Sequence, residues 1–465
     1  MKKIIALIVL FSLSYNVTFS QQNKKPNIVF ILADDLGYGD LGCFGSKIIK
    51  TPNLDKLASE GVKLTQFYSG STVCAPSRAA FMSGKHTGHT YIRGNGEIPL
   101  RQQDVILPQL LKKAGYQTGM FGKWGLGDMN TDGSPNKKGW DEFYGYLHHI
   151  EAHYQAPAIA WQYKKGMKQV QRVAMGFSSY GCDKFTEQAV EFIKKQDENT
   201  PFFVYLPLTL PHSELYAPKE AMKRYQDENG KSIFPEKPYE GSHYGGQTQP
   251  KAAYAAMVSK ADDYVGLIMK VLQEKGIAEN TLIIFSSDNG THIEGGRNKE
   301  DVAFMNSSGG LKGVKRDLTE GGIRVPTVAA GAGLPKNVVR EGYGTFWDLL
   351  PTFLELSNTK TPSGIDGTSQ LTYWKTGENW QKKPLYWEFY EGGYFQAIRD
   401  GDWKYIKSKL NDGTLKEELY DLKKDVSESN NLAKTNPEQL KTMSDMVQNL
   451  RTKADHPNFR TPEEK

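Results

Sequence analysis

The chain has 465 residues, of which 38% are hydrophobic and 24% are charged. This length predicts one large domain with a smaller one appended, and the composition excludes a disordered or membrane-embedded chain. The net charge of +5 is small and the basic residues are not clustered, which argues against nucleic-acid binding.

The first twenty residues have the features of a secretory signal peptide. Lys2 and Lys3 precede an apolar run over 4–13, and small and polar residues follow up to Ser20. The run is too short to span a bilayer, and no cysteine lies at the cleavage point. We therefore expect a secreted, periplasmic protein without a membrane anchor.

Short apolar runs alternate with helical patterns over residues 24–362, which predicts an α/β catalytic domain. The spacing of apolar residues over 254–274 predicts a helix with one buried face, which Gly276 ends. The polar segment 228–249 predicts a surface loop. The runs typical of strands buried on both faces cover 27–33, 202–206, 282–285 and 325–330.

The pattern changes after residue 362 to shorter, aromatic-rich segments. Strand-like pieces lie at 385–389, 395–399 and 403–406, and a helical pattern follows over 437–453. We predict a smaller C-terminal α+β subdomain over 363–465, with a small antiparallel sheet and a helix.

Two residue pairs that contain aspartate follow predicted strands closely. Asp34 and Asp35 end the first apolar run, and Asp288 and Asn289 come shortly after 282–285. Ligands of open α/β sheets bind beyond the carboxyl ends of the strands, so the two pairs are expected to share one crevice. Each pair taken alone is typical of a cap or a turn.

Cys74 opens a second candidate site. Pro76 suits the first turn of a helix, which places Cys74 at the helix N-terminus, where backbone N–H groups and Arg78 favour an anion. The alternative is a buried structural cysteine. Three cysteines in an oxidising compartment leave one unpaired, and a disulfide between Cys43 and Cys182 is an open possibility.

The segment Cys74-Ala75-Pro76-Ser77-Arg78 resembles the signature of the type I sulfatases of the alkaline phosphatase superfamily. In that family a maturation enzyme oxidises the cysteine to formylglycine, whose hydrate attacks sulfur. Segments 33–40 and 287–290 resemble the family's metal motifs. The resemblance implies a large mixed, mostly parallel sheet flanked by helices, and a Ca²⁺ ion, which prefers oxygen ligands. The implied ligands are Asp34, Asp35, Cys74, Asp288 and Asn289.

Three further motifs resemble those of the same family. Gly122-Lys123-Trp124 and the segment 311–315, followed by 320–322, resemble its two lysine motifs, and Pro211-His212 its histidine motif. The resemblance implies that Lys123 and Lys315 bind the substrate and neutralise charge on the sulfate, and that His212 contacts the sulfate and protonates the leaving alcohol. Lys312 is expected to be a solvated surface charge.

One position departs from the family pattern. Many members have a histidine two residues after the first lysine, where this chain has Gly125. His153 and His292 are candidates to fill that role or to bind substrate; the further candidates are His86, His148 and His149. In the C-terminal part, Tyr390 could stack on a sugar ring, whereas Trp387 and Trp403 are expected in the core.

Three functional hypotheses follow. The favoured one is a sulfatase that removes sulfate from the ends of carbohydrates of the galactose or N-acetylgalactosamine type. The alternatives are a phosphoester or phosphonate hydrolase of the same superfamily and a non-catalytic binder of sulfated glycans. The retained Cys74, Lys123, His212 and Lys315 favour an enzyme over a binder.

Overall fold

The computed structural model describes residues 24–176, 179–461 and 464. The signal peptide predicted over 1–20 lies outside the described residues. No helix in the described part of the chain is long and apolar enough to cross a membrane.

The strands and helices alternate over most of the chain. The strands are β1 (Asn27–Asp34), β2 (Gly61–Leu64), β3 (Phe67–Tyr68), β4 (Gln117–Lys123), β5 (Glu142–Tyr146), β6 (Ile159–Lys164), β7 (Gln171–Ala174), β8 (Phe202–Pro211), β9 (Thr281–Ser287), β10 (Thr327–Ala330), β11 (Val338–Arg340), β12 (Gly344–Thr345), β13 (Leu385–Phe389), β14 (Gly393–Asp400), β15 (Trp403–Leu410) and β16 (Leu415–Asp421). The helices are α1 (Pro52–Ser59), α2 (Cys74–Ser83), α3 (Leu107–Lys113), α4 (Gly181–Lys195), α5 (Lys219–Met222), α6 (Pro250–Glu274), α7 (Lys299–Met305), α8 (Glu320–Ile323), α9 (Phe346–Leu356), α10 (Leu371–Thr376) and α11 (Pro437–Asn449).

Ten of the described strands form one mixed sheet in the order β11-β2-β10-β9-β1-β8-β4-β5-β6-β7. The central strands β9, β1, β8, β4 and β5 are parallel, whereas β10, β6 and the edge strand β7 run antiparallel to their neighbours. This arrangement confirms the predicted large, mostly parallel sheet flanked by helices.

The apolar sequence of β1 is explained by cores on both faces of the sheet. Val29 and Ile31 pack in a core with α4 and α6, whereas Phe30 and Leu32 pack in a core with α2 and α9. Side chains alternate across a strand, so both sets of positions have to be apolar.

The C-terminal strands β13 to β16 form an antiparallel sheet. Met443 and Val447 of α11 pack on one face of it, and Trp387 on the other face contacts Tyr68 and Trp347 of the large domain. Both faces are therefore covered, and Trp387 is a core residue as expected. The domain boundary at residue 362 stays a prediction.

Two helix ends and several strands differ from the sequence prediction. α6 begins at Pro250, four residues before the predicted start, because proline is favoured in the first turn of a helix. α11 ends at Asn449 rather than 453, and Arg451 beyond it donates a hydrogen bond to Glu388 of β13. The strands β2 to β7, β11, β12 and β16 were not predicted.

The possible disulfide between Cys43 and Cys182 is wrong, since both cysteines are free. The backbone N–H of Cys43 is tied to Asp55 of α1, whereas Cys182 lies in α4 with its sulfur 3.2 Å from Thr209 Oγ1 of β8. The two thiols belong to different parts of the fold.

Candidate active site

The carboxyl ends of the central strands bring the predicted site residues together. Asp34, the last residue of β1, is aligned with Pro211, the last residue of β8. Asp288 follows β9 on the other side of β1 and donates its N–H to the carbonyl oxygen of Ala33. Lys123 ends β4, the other neighbour of β8. The strand order therefore explains why motifs far apart in the sequence meet.

Cys74 is the first residue of α2, as its sequence context predicts, and its side chain is buried. Its sulfur donates to Asp34 Oδ1 over 3.2 Å. Burial, together with the carboxylates of Asp288 and Asp34, raises the pKa of the Cys74 thiol well above its usual value. The unmodified side chain is therefore a neutral thiol rather than a reactive thiolate.

The predicted oxygen ligands form one fully buried cluster. Asp35 donates its N–H to Asp288 Oδ1 over 3.2 Å, and its Oδ1 accepts from Asn289 Nδ2 over 2.7 Å. Asn289 Oδ1 is buried and has no hydrogen-bond partner among the described residues. A buried amide oxygen without a partner, beside carboxylates, is the kind of donor that a hard cation takes up.

Each of the three carboxylates is paired with one cationic side chain, and all six groups are almost fully buried. The pairs are Arg78 Nη2 with Asp288 Oδ2 at 2.7 Å, Lys123 Nζ with Asp34 Oδ2 at 2.6 Å, and Lys315 Nζ with Asp35 Oδ2 at 2.9 Å.

The pKa values of the Asp34 and Asp288 carboxylates are shifted in opposite directions. Burial alone would raise the pKa of Asp34, but Lys123 and the other cations around it hold this pKa well below its usual value. Burial and the neighbouring Asp34 charge raise the pKa of Asp288 to about 7. The cations of the cluster therefore compensate the charge of Asp34 more completely than that of Asp288.

His212 and Lys315 form a hydrogen-bonded pair. Nδ1 of His212 donates to the carbonyl oxygen of Ser213, and its Nε2 accepts from Lys315 Nζ over 3.2 Å. Burial and the Lys315 charge lower the pKa of His212 well below its usual value. In this state Lys315 holds the proton and the imidazole is neutral.

A second set of candidate metal ligands consists of Asp34, Asp35, Cys74 and His212, whose ligand atoms lie within 4.8 Å of one another. The Lys315 ammonium contacts both Asp35 and His212. His212 Nε2 thus already has a partner, whereas Asn289 Oδ1 has none among the described residues, so the all-oxygen set with Asp288 and Asn289 is the better candidate for a hard cation.

A cavity of about 120 Å³ opens onto this cluster. It is lined by Cys74, Asn95, Lys123, His149, His153, His212, Tyr244, Glu294, Lys315 and Arg316. Asn95, Tyr244, Glu294 and Arg316 were not predicted. Only Glu294 and Arg316 had a signal in the sequence, because Arg316 follows Lys315 directly and Glu294 lies two residues after His292.

The histidine candidates fall in different places. His153 lines the cavity and stacks on His212 with ring centroids 4.8 Å apart, and His149 also lines it. Burial and Lys123 lower the pKa of both His149 and His153 to about 4, so both are neutral near pH 7. His292 is fully buried behind His212 and does not line the cavity. Its contacts fit a positioning role better than the predicted contact with substrate.

The remaining candidates lie away from the cavity. His148 pairs with Glu97 and Asp128, and His86 lies beside Asp366. Lys312, predicted as a solvated charge, is half-exposed but donates to the hydroxyl of Tyr420 in the C-terminal sheet.

The aromatic and glycine positions also have definite surroundings. The hydroxyl of Tyr390 donates to Glu388 and to the carbonyl oxygen of Phe459, and its ring packs on Phe459 outside the cavity. Gly125 has a φ of +72°, and a Cβ there would meet no atom within 4 Å. The space beside Gly125, where many family members have a histidine side chain, is therefore open.

Comparisons with known proteins agree on one family. The sulfatase family matches residues 26–359, and the C-terminal region of N-sulphoglucosamine sulphohydrolase matches 314–456. The chain is 30% identical to N-acetylgalactosamine-6-sulfatase of Mus musculus, over 82% of this chain and 72% of that protein. Among solved structures, Ps i-CgsB in complex with k-i-k-neocarrahexaose is 29% identical, with a TM-score of 0.74 and 92% of each chain covered. The phosphonate monoester hydrolase of Agrobacterium radiobacter shares the fold, at 20% identity and a TM-score of 0.65 over 91% of this chain and 95% of that one.

Proposed function

Since this chain belongs to the sulfatase family of the alkaline phosphatase superfamily and is a sulfuric ester hydrolase, we propose that it removes sulfate from the ends of sulfated carbohydrates. The observation that carries the proposal is the small cavity in which Cys74 lies beside Lys123 and Lys315.

Cys74 suits conversion to formylglycine by a maturation enzyme, which we propose as its modification. The side chain lies at the N-terminus of α2, at the end of the cavity where Lys123 and Lys315 line it. The hydrated aldehyde would supply one hydroxyl to attack sulfur and displace the alcohol, and a second one whose loss of a proton would re-form the aldehyde and release the sulfate. The neutral, hydrogen-bonded thiol is a poor nucleophile for this task, which favours the modified form.

The oxygen cluster suits Ca²⁺, with Asp34, Asp35, Asp288 and Asn289 as the proposed protein ligands. The orphaned Asn289 Oδ1 supports the fit, and so does the absence of a soft ligand from this set. Position 74 would join the set through an oxygen only after its modification. A Ca²⁺ ion held by these residues would supply positive charge to polarise the attacking oxygen and the sulfate.

The residues around the cavity divide the remaining work. Lys123 and Lys315 carry charges that neutralise the sulfate oxygens, and their burial makes these interactions stronger than in water. Lys315 also holds a proton beside His212, so it donates the hydrogen bond to the leaving oxygen. His212 accepts a hydrogen bond from this ammonium and fixes its position, and a Lys315 side chain that has given up its proton would regain one from water. The first proton donor to the leaving oxygen is thus Lys315. The sequence motifs had implied this role for His212.

The proposed substrate is a galactose or N-acetylgalactosamine sulfate at the end of a chain. The cavity of about 120 Å³ is smaller than the roughly 300 Å³ of ordinary ligand pockets, so it holds the sulfate and the edge of one sugar. N-acetylgalactosamine-6-sulfatase and Ps i-CgsB, with its bound neocarrahexaose, support the class of sugar by similarity. The N-terminal sequence supports secretion to the periplasm.

A panel of esters tests the proposal. The enzyme is assayed with and without Ca²⁺ on monosulfated galactose and N-acetylgalactosamine isomers, on 4-nitrophenyl sulfate, and on the matching phosphate and phosphonate esters. We expect sulfate release from at least one sugar at a rate well above any phosphoester hydrolysis. Faster phosphoester hydrolysis would support the alternative hydrolase, and binding of sulfated sugars without any release would support the glycan binder.

A further inference from the structure

The lining of the cavity contains a carboxylate as well as cations. Its inner part, beside Cys74, contains the nearly buried Lys123 and Lys315, and its outer part contains the half-exposed Arg316. The outer part contains Glu294, a carboxylate whose side chain is 18% exposed and which belongs to none of the three paired carboxylates of the inner cluster. A carboxylate beside a site for an anionic ester weakens anion binding, so its presence points to another ligand group.

The backbone of Glu294 is held in place on both sides. Its N–H donates to His292 Nδ1 over 3.2 Å, and its carbonyl oxygen accepts from Ser213 Oγ over 2.9 Å. The next residue, Gly295, has a φ of +61°, and a Cβ there would lie 2.4 Å from Ser213 Oγ. His292 therefore acts as a positioning residue for Glu294.

The carboxylate of Glu294 is ionised and directed into the cavity. It accepts from Lys315 Nζ over 3.3 Å, from the Tyr244 hydroxyl over 3.2 Å and from Arg316 Nη1. Burial would raise the pKa of Glu294, but Lys315 and nearby cations lower it to about 2. An ionised carboxylate can only accept hydrogen bonds.

The guanidinium of Arg316 is already matched by two carboxylates. Its Nη1 donates to Glu294, and its Nε donates to Glu391 of the C-terminal subdomain over 2.6 Å. Its backbone has a φ of +78°, and its N–H donates to the carbonyl oxygen of Thr72 over 3.2 Å. The guanidinium is thus held in a fixed place between two negative charges.

On the basis of the proposed function, we propose that Glu294 determines substrate specificity by accepting a hydrogen bond from a free hydroxyl next to the sulfated position of the sugar. A second sulfate at that neighbouring carbon would face Glu294, and this like-charge contact disfavours it. The preferred substrate class is therefore a sugar with a single sulfate and a free hydroxyl beside it.

The experiment compares three sugars derived from the monosulfated isomer that the enzyme hydrolyses fastest. They are that isomer, its analogue without the neighbouring hydroxyl, and its analogue with a second sulfate there. We expect kcat/KM of the wild type for the first sugar to exceed that for each analogue about 10- to 100-fold, the size of one hydrogen bond to a charged group. In Glu294→Gln the preference over the deoxy analogue should fall about 10-fold, because a neutral hydrogen bond to the amide oxygen replaces the one to the carboxylate. Glu279→Gln, the same change at an exposed position near the start of β9, should keep the wild-type ratio.

Equal kcat/KM values of the wild type for the three sugars would overturn the inference without any variant. An equal loss for all three sugars in Glu294→Gln would also overturn it, since the residue would then only position Lys315. Hydrolysis of 4-nitrophenyl sulfate separates these outcomes from a failure of the proposed function, because a protein that hydrolyses no sulfate ester at all would contradict the proposed function itself.

Discussion

Replacing Lys123 by methionine removes one buried charge at nearly constant side-chain volume. Its ammonium is 1% exposed and lies 2.6 Å from Asp34 Oδ2. Removing one partner of a buried pair costs about 3–5 kcal/mol because the other charge is left uncompensated. Arg78 Nη2, 3.4 Å from Asp34, compensates in part, so we expect the free energy of unfolding to fall by about 3 kcal/mol in chelator.

Calcium is expected to affect the stability of Lys123→Met but not its loss of activity. If Asp34 binds the ion, Ca²⁺ compensates its charge, and the loss of stability in Lys123→Met should be smaller in calcium than in chelator. Sulfate release should stay reduced by about 100-fold or more in calcium, because the ammonium that faces the substrate is missing. Urea unfolding in both buffers and an assay of sulfate release measure the two effects.

Lys441→Met is the matched control for this prediction. Lys441 Nζ also lies 2.6 Å from a carboxylate oxygen, Asp445 Oδ2, but the two side chains are 76% and 59% exposed. Solvent screens such a pair, so we expect a loss below about 1 kcal/mol with no dependence on calcium. A similarly small loss in Lys123→Met would refute the account of the buried pair, and a loss that calcium leaves unchanged would refute the assignment of Asp34 as a ligand.

Three further predictions concern the nucleophile, a buried histidine and the subdomain contact. Cys74→Ala should abolish sulfate release and leave the circular dichroism spectrum and Tm close to the wild type, and retained turnover would exclude the proposed nucleophile. Burial lowers the pKa of His86 from 6.5 to about 4. As the pH falls, this histidine is therefore protonated in the unfolded chain before it is protonated in the folded one. About 3 kcal/mol of stability that is present above pH 6.5 is lost by pH 4. His86→Gln should reduce the loss between pH 6.5 and 4 by about 3 kcal/mol, whereas parallel profiles of the two proteins would contradict the shift. Lys404→Met breaks fully buried pairs with Glu320 and Glu428. It should lower the free energy of unfolding by about 3–5 kcal/mol. A loss below about 1 kcal/mol would contradict the assignment of these ion pairs as buried.

The fold could be predicted where one residue pattern had one physical explanation. The apolar run of β1 faces a core on each side, and the helical spacing over 254–274 gives the buried face of α6, so both were predicted correctly. β16 begins with the exposed segment Leu415-Lys416-Glu417, and it is a strand because it pairs with β15. Pairing between strands is a tertiary effect that no local pattern in this segment records.

The inner part of the site was predicted because its motifs are short and contain unusual residues. The Asp34-Asp35 pair and Cys74 meet because of strand order, which the motif resemblance implied. Glu294 and Arg316 enter the cavity through a tight turn at Gly295 and a left-handed backbone at Arg316. Such backbone geometry depends on contacts with distant segments, so the outer part of the cavity could not be predicted.

The most direct test of the central claim is the mass of the Cys74 peptide from protein made in a host with a sulfatase-maturation enzyme, measured on the sample assayed for sulfate release. We predict the mass loss that accompanies replacement of the CH₂SH side chain by an aldehyde, together with release of sulfate from one of the sugars. Full sulfate release by protein whose Cys74 remains an unmodified thiol would contradict the account.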